Sequence, residues 1–180
     1  MKKSFPVKML VMCALFAALL AVCSQIAIPL PGGVPINLAI LAVLLCGALM
    51  SKGYAVASVA VYVLIGLVGV PVFANMMGGP AVLFGKTGGS ILGYLLCAFL
   101  TSWLIEKWGR AYWKQCLAMA IGVAACYVFG TVWFMAVTGL GLWISLTYCV
   151  FPFLIGDALK IALASFLSQR LEKPMRKAIR

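Results

Sequence analysis

Two ionisable side chains, Asp157 and Lys160, lie inside the apolar stretch FPFLIGDALKIAL. A charge within a membrane helix costs roughly 2.5–3.5 kcal/mol, so each needs a partner or a function. Residues three apart share one face of a helix, and the two side chains can therefore form an ion pair. The carboxylate can accept hydrogen bonds from N–H groups, and the ammonium can donate to a carbonyl. The pair is a candidate recognition point for a polar ligand, with a purely structural ion pair as the alternative.

A second candidate lies in the stretch from Pro71 to Gly89, which reads PVFANMMGGPAVLFGKTGG and is dense in glycine and proline. Such a density stops a helix. Irregular backbone at membrane depth must be buried in protein or line a cavity, so we expect the wall or lid of a small-molecule pocket. Within it, Lys86 is a cation among accessible backbone N–H groups and suits a ligand carboxylate, and Asn75 adds an amide. The alternatives are an ordinary connecting loop and a solvated lysine.

The composition predicts the class of protein that holds these residues. Of 180 residues, 66% are hydrophobic, only 9% are charged, and none is histidine. So few polar groups cannot cover the surface of a soluble domain. We therefore expect a single integral-membrane domain over residues 1–180. The net charge of +11 does not indicate nucleic-acid binding, because the lysines and arginines cluster at the ends of apolar segments.

Apolar runs of suitable length predict an all-α protein with six transmembrane helices, since a span takes about 20 residues. The expected spans are residues 9–28, 37–50, 54–70, 88–105, 116–137 and 148–167. Residues 138–147 are expected to form a turn or a short surface helix, and Pro152 and Gly156 predict a late start or a kink in the last span. Six spans place every lysine and arginine except Lys86 and Lys160 on one side. Both termini are then cytoplasmic, in a multi-pass protein of the cell membrane, and the glycine-rich stretch faces outward.

The absence of histidine and the small number of acidic residues argue against an enzyme and against a metal site. The only acids are Glu106, Asp157 and Glu172, too few to surround a catalytic metal ion. The seven cysteines lie in apolar runs without C-x-x-C spacing. GKT is not part of a P-loop, because Pro80 stands where that motif needs glycine. A small-molecule binder and transporter without a cofactor remains the leading interpretation. A membrane scaffold with a structural Asp–Lys pair and an intramembrane enzyme are the alternatives.

The first span also carries small residues at helical spacing. Ala14 and Ala18 are four apart and lie on one face, as do Ala17 and Ala21. Small residues at this spacing allow another helix to approach closely, although alanine is also common in membrane helices for no such reason.

Several of these segments together resemble the BioY family of biotin-specific S components of energy-coupling-factor (ECF) vitamin importers. The similar blocks are ALFAALLAV, IPLPGGVPINL, GLVGVPVFANMMGGPAVLFGKTGGSILGY and IGDALK. The resemblance implies a six-helix S-component fold that binds biotin on its outward side. It implies that a transmembrane T component and two cytosolic ATPases are partners in the lipid bilayer, with Ala14 and Ala18 on the docking face for the T component.

The resemblance also implies roles for the candidate residues. Asp157 and Lys160 would contact the ureido head of biotin, and Asn75 and Lys86 would lie where relatives bind the ligand and its carboxylate. The chain departs from the usual family pattern at four positions. Lys86 replaces a proline and Ser90 a tyrosine, while Asn37 and Ala39 stand where threonine and glutamine are usual.

Overall fold

The structure, a computed structural model, describes residues 7–29 and 34–179. Lys2, Lys3 and Arg180, which contribute to the predicted charge asymmetry, lie outside the described residues, as does part of the predicted turn at 28–37. The helices are α1 (Val7–Gln25), α2 (Ala39–Leu49), α3 (Lys52–Leu67), α4 (Pro80–Leu83), α5 (Gly88–Trp108), α6 (Tyr112–Thr138), α7 (Leu142–Cys149) and α8 (Leu154–Ile179). A short antiparallel pair, β1 (Ala27–Ile28) and β2 (Ile36–Asn37), connects α1 to α2.

The core is built around α2, whose eleven residues are nearly all buried. Its sequence, AILAVLLCGAL, is apolar on every face, as expected for a helix surrounded by others. The helices α1, α3, α5, α6 and α8 all pack against it. The close packing of α5 on α6 depends on small residues, because a Cβ at Gly93 would lie 2.8 Å from the Cys126 sulfur.

Three helices among the described residues, α1, α5 and α6, are long and apolar enough to cross a membrane, and α7 with α8 makes a fourth if that bent pair counts as one span. The apolar α2 and α3 coincide with two further predicted spans but are shorter. At 1.5 Å per residue they measure about 16 and 24 Å, against a hydrocarbon core of about 30 Å. A mostly helical architecture is confirmed, and the count of six spans with cytoplasmic termini stays a prediction.

The predicted irregularity before the last span is confirmed. α7 ends at Cys149, α8 begins at Leu154, and the two axes are bent by 45°. Pro152 lies in the turn between them, where its missing N–H and fixed φ end one helix and start the next. The break puts Asp157 in the first turn of α8, where the positive end of the helix dipole favours a carboxylate.

The glycine-rich stretch contains no spanning helix, as predicted. It forms a single 3-10 turn over Ala74–Met76, the one-turn helix α4, and turns on either side. Asn75 and Met76 both adopt left-handed backbone, with φ of 59° and 57°. Left-handed φ is uncommon outside glycine and needs support from the surroundings.

Candidate functional site

The ion pair predicted within the last span is present and buried. Lys160 Nζ lies 2.8 Å from Asp157 Oδ1, and the two side chains are 9% and 4% exposed. Lys160 Nζ also donates to the main-chain oxygen of Asn37, at 2.7 Å. The second carboxylate oxygen, Asp157 Oδ2, accepts a hydrogen bond from the hydroxyl of Tyr127 on α6. Three separate elements, α8, α6 and β2, thus fix the position of the pair.

The pair retains hydrogen-bonding capacity. An ammonium has three donors, and Lys160 uses two of them on protein acceptors. A carboxylate has about four acceptor positions, of which Asp157 uses two. The remaining donor and acceptors can bind a group that presents an N–H beside a carbonyl. Because the pair is buried, such hydrogen bonds would be shielded from water and charge-assisted.

The Asp157–Lys160 pair lines a narrow cavity with about 40 Å³ of space for the centres of water-sized molecules, and about 460 Å³ of total empty space when the open solvent at its mouth is included. A neighbouring cavity of about 400 Å³ shares five lining residues with it, namely Val34, Pro35, Asn37, Ser90 and Tyr94. The first cavity is completed mainly by α6 and α8, and the second by α3 and the glycine-rich stretch. We call the two together the central cavity. Its walls are largely apolar, with polar groups from a few positions, which is typical of a small-molecule site.

Two of the four predicted ligand-binding residues line the central cavity, and the other two do not. Asp157 and Lys160 line the central cavity. Asn75 and Lys86 do not, and both are exposed, but their chain neighbours Ala74 and Thr87 line it. Asn75 and Lys86 are thus next to residues of the cavity wall without lining it themselves. Whether the Asn75 and Lys86 side chains touch a ligand stays a prediction.

The side chain of Gln25 fixes the turn that carries Asn75. Its Nε2 donates to the main-chain oxygens of Pro71 and Phe73, at 3.1 and 3.0 Å, and its Oε1 accepts from the N–H of Met76 at 3.0 Å. These three hydrogen bonds support the left-handed backbone of Asn75 and Met76. We call this set of bonds the Gln25 clamp. Together with the ring of Phe73, which lines the central cavity, it joins the end of α1 to the cavity wall.

The sequence did not identify Tyr127, Gln25 or the Asn37 main chain as parts of this site. Tyr127 lies in an apolar stretch of α6. The only indication of its role in the sequence is that a tyrosine hydroxyl at membrane depth needs a hydrogen-bond partner. Gln25 gave the analogous signal, as an amide directly after an apolar run. Tyr62 and Tyr94 also line the central cavity.

Ala14 and Ala18, the predicted docking residues, are exposed on α1. With Ala17, Ala21 and the α3 residues Val61 and Ile65 they line a shallow apolar groove of about 560 Å³. The surface is therefore accessible to another helix, and its use for docking stays a prediction. Within the described part of the chain, no cluster of three or more His, Cys, Asp or Glu side chains could hold a metal ion.

Comparisons with known proteins place the chain among transporters. Residues 1–177 match the family model described as the BioY family. The chain is 35% identical over 171 residues to "Biotin transporter BioY" of Thermotoga maritima, covering 92% of this chain and 96% of that one. It is 32% identical over 162 residues to "Biotin transporter BioY2" of Lactococcus lactis, covering 90% and 88%.

The fold also matches a solved structure, the crystal structure of "the S-component for biotin from an ECF-type ABC transporter". The TM-score is 0.86 and the match covers 96% of this chain and 95% of the other. The sequence identity is 24%, so the match establishes the fold. The predicted S-component fold is confirmed by it.

Proposed function

The chain belongs to the BioY family, and from this premise we propose that it captures biotin with high affinity from the outside of the cell. The family is one of transporters, and the chain is accordingly not an enzyme. The observation that carries the proposal is the buried Asp157–Lys160 pair at the wall of the central cavity.

The chemistry of biotin fits the groups that line the cavity. Its ureido ring presents N–H donors beside a carbonyl acceptor, which match the unused acceptors of Asp157 and the unused donor of Lys160. Its fused rings and aliphatic chain are apolar, like most of the cavity wall. Its carboxylate tail needs a cation or N–H donors, and Lys86 together with the glycine-rich backbone would supply them.

Release into the cell requires an energy source that this chain does not itself supply. We propose that a transmembrane T component docks on α1 at Ala14 and Ala18, and that two cytosolic ATPases drive the cycle. In this arrangement the chain spans the cell membrane six times as a single domain, with both termini in the cytoplasm. Local thinning of the bilayer would accommodate the short helices α2 and α3.

Titration of the purified full chain with biotin tests the proposal directly. We expect saturable heat at micromolar biotin or below and an increase in the melting temperature, because a ligand that binds only the folded state stabilises it. Octanoate, which has a carboxylate and an apolar chain but no ureido group, is the control ligand and should produce neither effect. Absence of both heat and stabilisation with biotin would contradict the proposal.

The predicted role of Lys86 can be measured separately from that of the ion pair. The Lys86→Gln variant is expected to bind biotin about fivefold more weakly, the effect of an exposed charge pair worth about 1 kcal/mol. Biotin amide, whose tail is neutral, should bind wild type and variant equally. Lys52→Gln is the matched control, since Lys52 begins α3 at the end opposite the glycine-rich stretch. Equal affinity of the Lys86→Gln variant for biotin would place the carboxylate elsewhere.

A further inference from the structure

The hairpin between α5 and α6 forms an open groove whose lining does not include Asp157 or Lys160. Its volume is about 420 Å³ without the open solvent around it, and it is lined by Lys107, Trp108, Trp113, Lys114 and Leu117. We call it the lysine–tryptophan groove. None of its lining residues contributes to the central cavity, so biotin binding leaves it unexplained.

The two lysines of this groove are held in place without neutralisation by an acid. Lys114 is half-buried and its Nζ donates to the main-chain oxygen of Trp108 at 2.9 Å. Lys114 Nζ also lies 5.5 Å from the centroid of the Trp113 ring, and Lys107 Nζ lies 5.4 Å from that of Trp103. These cation–π contacts orient both ammonium groups while leaving donors for a ligand.

Two of the three acids in the chain have other partners. Glu106 accepts a hydrogen bond from the N–H of Lys52, at 3.2 Å, and Glu172 pairs with Arg110 at 3.4 Å. The third acid of the chain, Asp157, is in the central cavity. Neither lysine of the groove therefore has an ion-pair partner among the described residues.

The rest of the groove is apolar and continues along the outside of α6. Trp113 is 65% exposed and Leu117 is 46% exposed, one turn further along the helix. Tryptophan side chains favour the interface between membrane and water, which places this end of the hairpin at the level of the lipid headgroups. A ligand with an anionic head and an apolar tail matches both parts of the groove.

We propose that the lysine–tryptophan groove binds an anionic phospholipid. The lipid phosphate accepts hydrogen bonds from Lys107 and Lys114, the headgroup lies against Trp108, and an acyl chain packs along Trp113 and Leu117. Basic pockets between membrane helices bind anionic headgroups by this combination of charge and apolar contact. The site does not involve biotin. Lipid binding there makes the stability of the α5–α6 hairpin depend on the lipid composition of the bilayer.

Native mass spectrometry of the full chain, titrated with phosphatidylglycerol or phosphatidylcholine of identical acyl chains, tests this proposal. Near a membrane surface each lysine contributes about fivefold to the binding of an anionic lipid, so phosphatidylglycerol is expected to bind about 25-fold more tightly. The Lys107→Gln/Lys114→Gln variant should lose this preference. The Lys107→Gln variant, which keeps the bond from Lys114 to Trp108, should lose about fivefold, and Lys107→Arg/Lys114→Arg should retain wild-type binding.

The control is Lys52→Gln/Lys173→Gln, which removes two exposed lysines outside the groove and should keep the preference. An equal loss in this control would show attraction by overall charge and would overturn the proposal. Equal binding of the two lipids to wild type would also overturn it. Millimolar inorganic phosphate should leave phosphatidylglycerol bound. If phosphate displaced phosphatidylglycerol completely, the groove would be a site for a soluble anion and the lipid assignment would be wrong.

Discussion

Replacing Asp157 with leucine is expected to lower the free energy of unfolding by about 3–5 kcal/mol and to abolish biotin binding. The substitution leaves the ammonium of Lys160 buried without its counter-charge and the hydroxyl of Tyr127 without its acceptor. Removal of one partner from a buried pair carries this cost because the remaining charge stays desolvated. Reversible unfolding in detergent, together with biotin calorimetry, measures both effects.

The Asp157→Leu/Lys160→Met variant separates the structural role of the pair from ligand recognition. An apolar pair of similar volume often replaces a buried ion pair with little loss of stability. We therefore expect the double variant to regain most of the free energy of unfolding while still failing to bind biotin. Recovery of biotin binding along with stability would support a purely structural pair, as in a membrane scaffold, and would remove Asp157 and Lys160 from the binding site.

The second large effect is expected from Gly88→Ala at the start of α5. A Cβ at this position would lie 1.7 Å from the main-chain oxygen of Leu83 and 2.6 Å from its carbonyl carbon. No side-chain rotation relieves a clash with backbone, so α4 and α5 must move apart. We expect a loss of about 3 kcal/mol in the free energy of unfolding, at the upper end of the usual cost of overpacking. Biotin should also bind more weakly, because Thr87 and Ser90 line the central cavity.

Gly53→Ala provides the matched control for this substitution. Gly53 lies in the first turn of α3, and a Cβ there would meet no atom within 4 Å. Alanine is the better helix former by about 1 kcal/mol, so this variant should be as stable as wild type or slightly more so. Thermal unfolding of the two variants side by side makes the comparison. Wild-type stability of the Gly88→Ala variant would mean that the turn before α5 is packed differently.

The helices could be predicted from sequence where their limits depend on local signals. Apolar runs bounded by glycine, proline and charged residues predicted spans at 54–70 and 88–105, and helices are found at Lys52–Leu67 and Gly88–Trp108. The second expected span was 37–50, but α2 begins at Ala39. The reason is that Asn37 pairs with Ala27 in the β1–β2 ladder and its Oδ1 accepts from the N–H of Ala39. That side-chain bond was not visible in the apolar pattern.

The site was predictable only in part, because its geometry depends on contacts between distant segments. Asp157 and Lys160 were found because two charges stand out in an apolar stretch. Tyr127 lies 30 residues before Asp157, and the Asn37 oxygen that binds Lys160 is 123 residues away from it. No local pattern gives these pairings, which follow from how α6 and β2 pack against α8. The backbone next to Lys86 likewise depends on a distant residue, since Trp133 Nε1 donates to the Gly85 oxygen at 3.1 Å.

The Gln25 clamp links α1 by hydrogen bonds to a turn in the wall of the central cavity. One helix carries both the exposed Ala14 and Ala18 surface and, at its far end, the amide that holds the 71–77 turn by three hydrogen bonds. Any tilt or translation of α1 must therefore break these bonds or pull the turn, and the Phe73 ring with it, away from the cavity. A displacement of the Ala14 and Ala18 surface is thus transmitted to the cavity wall along one helix, over a distance of about 16 Å.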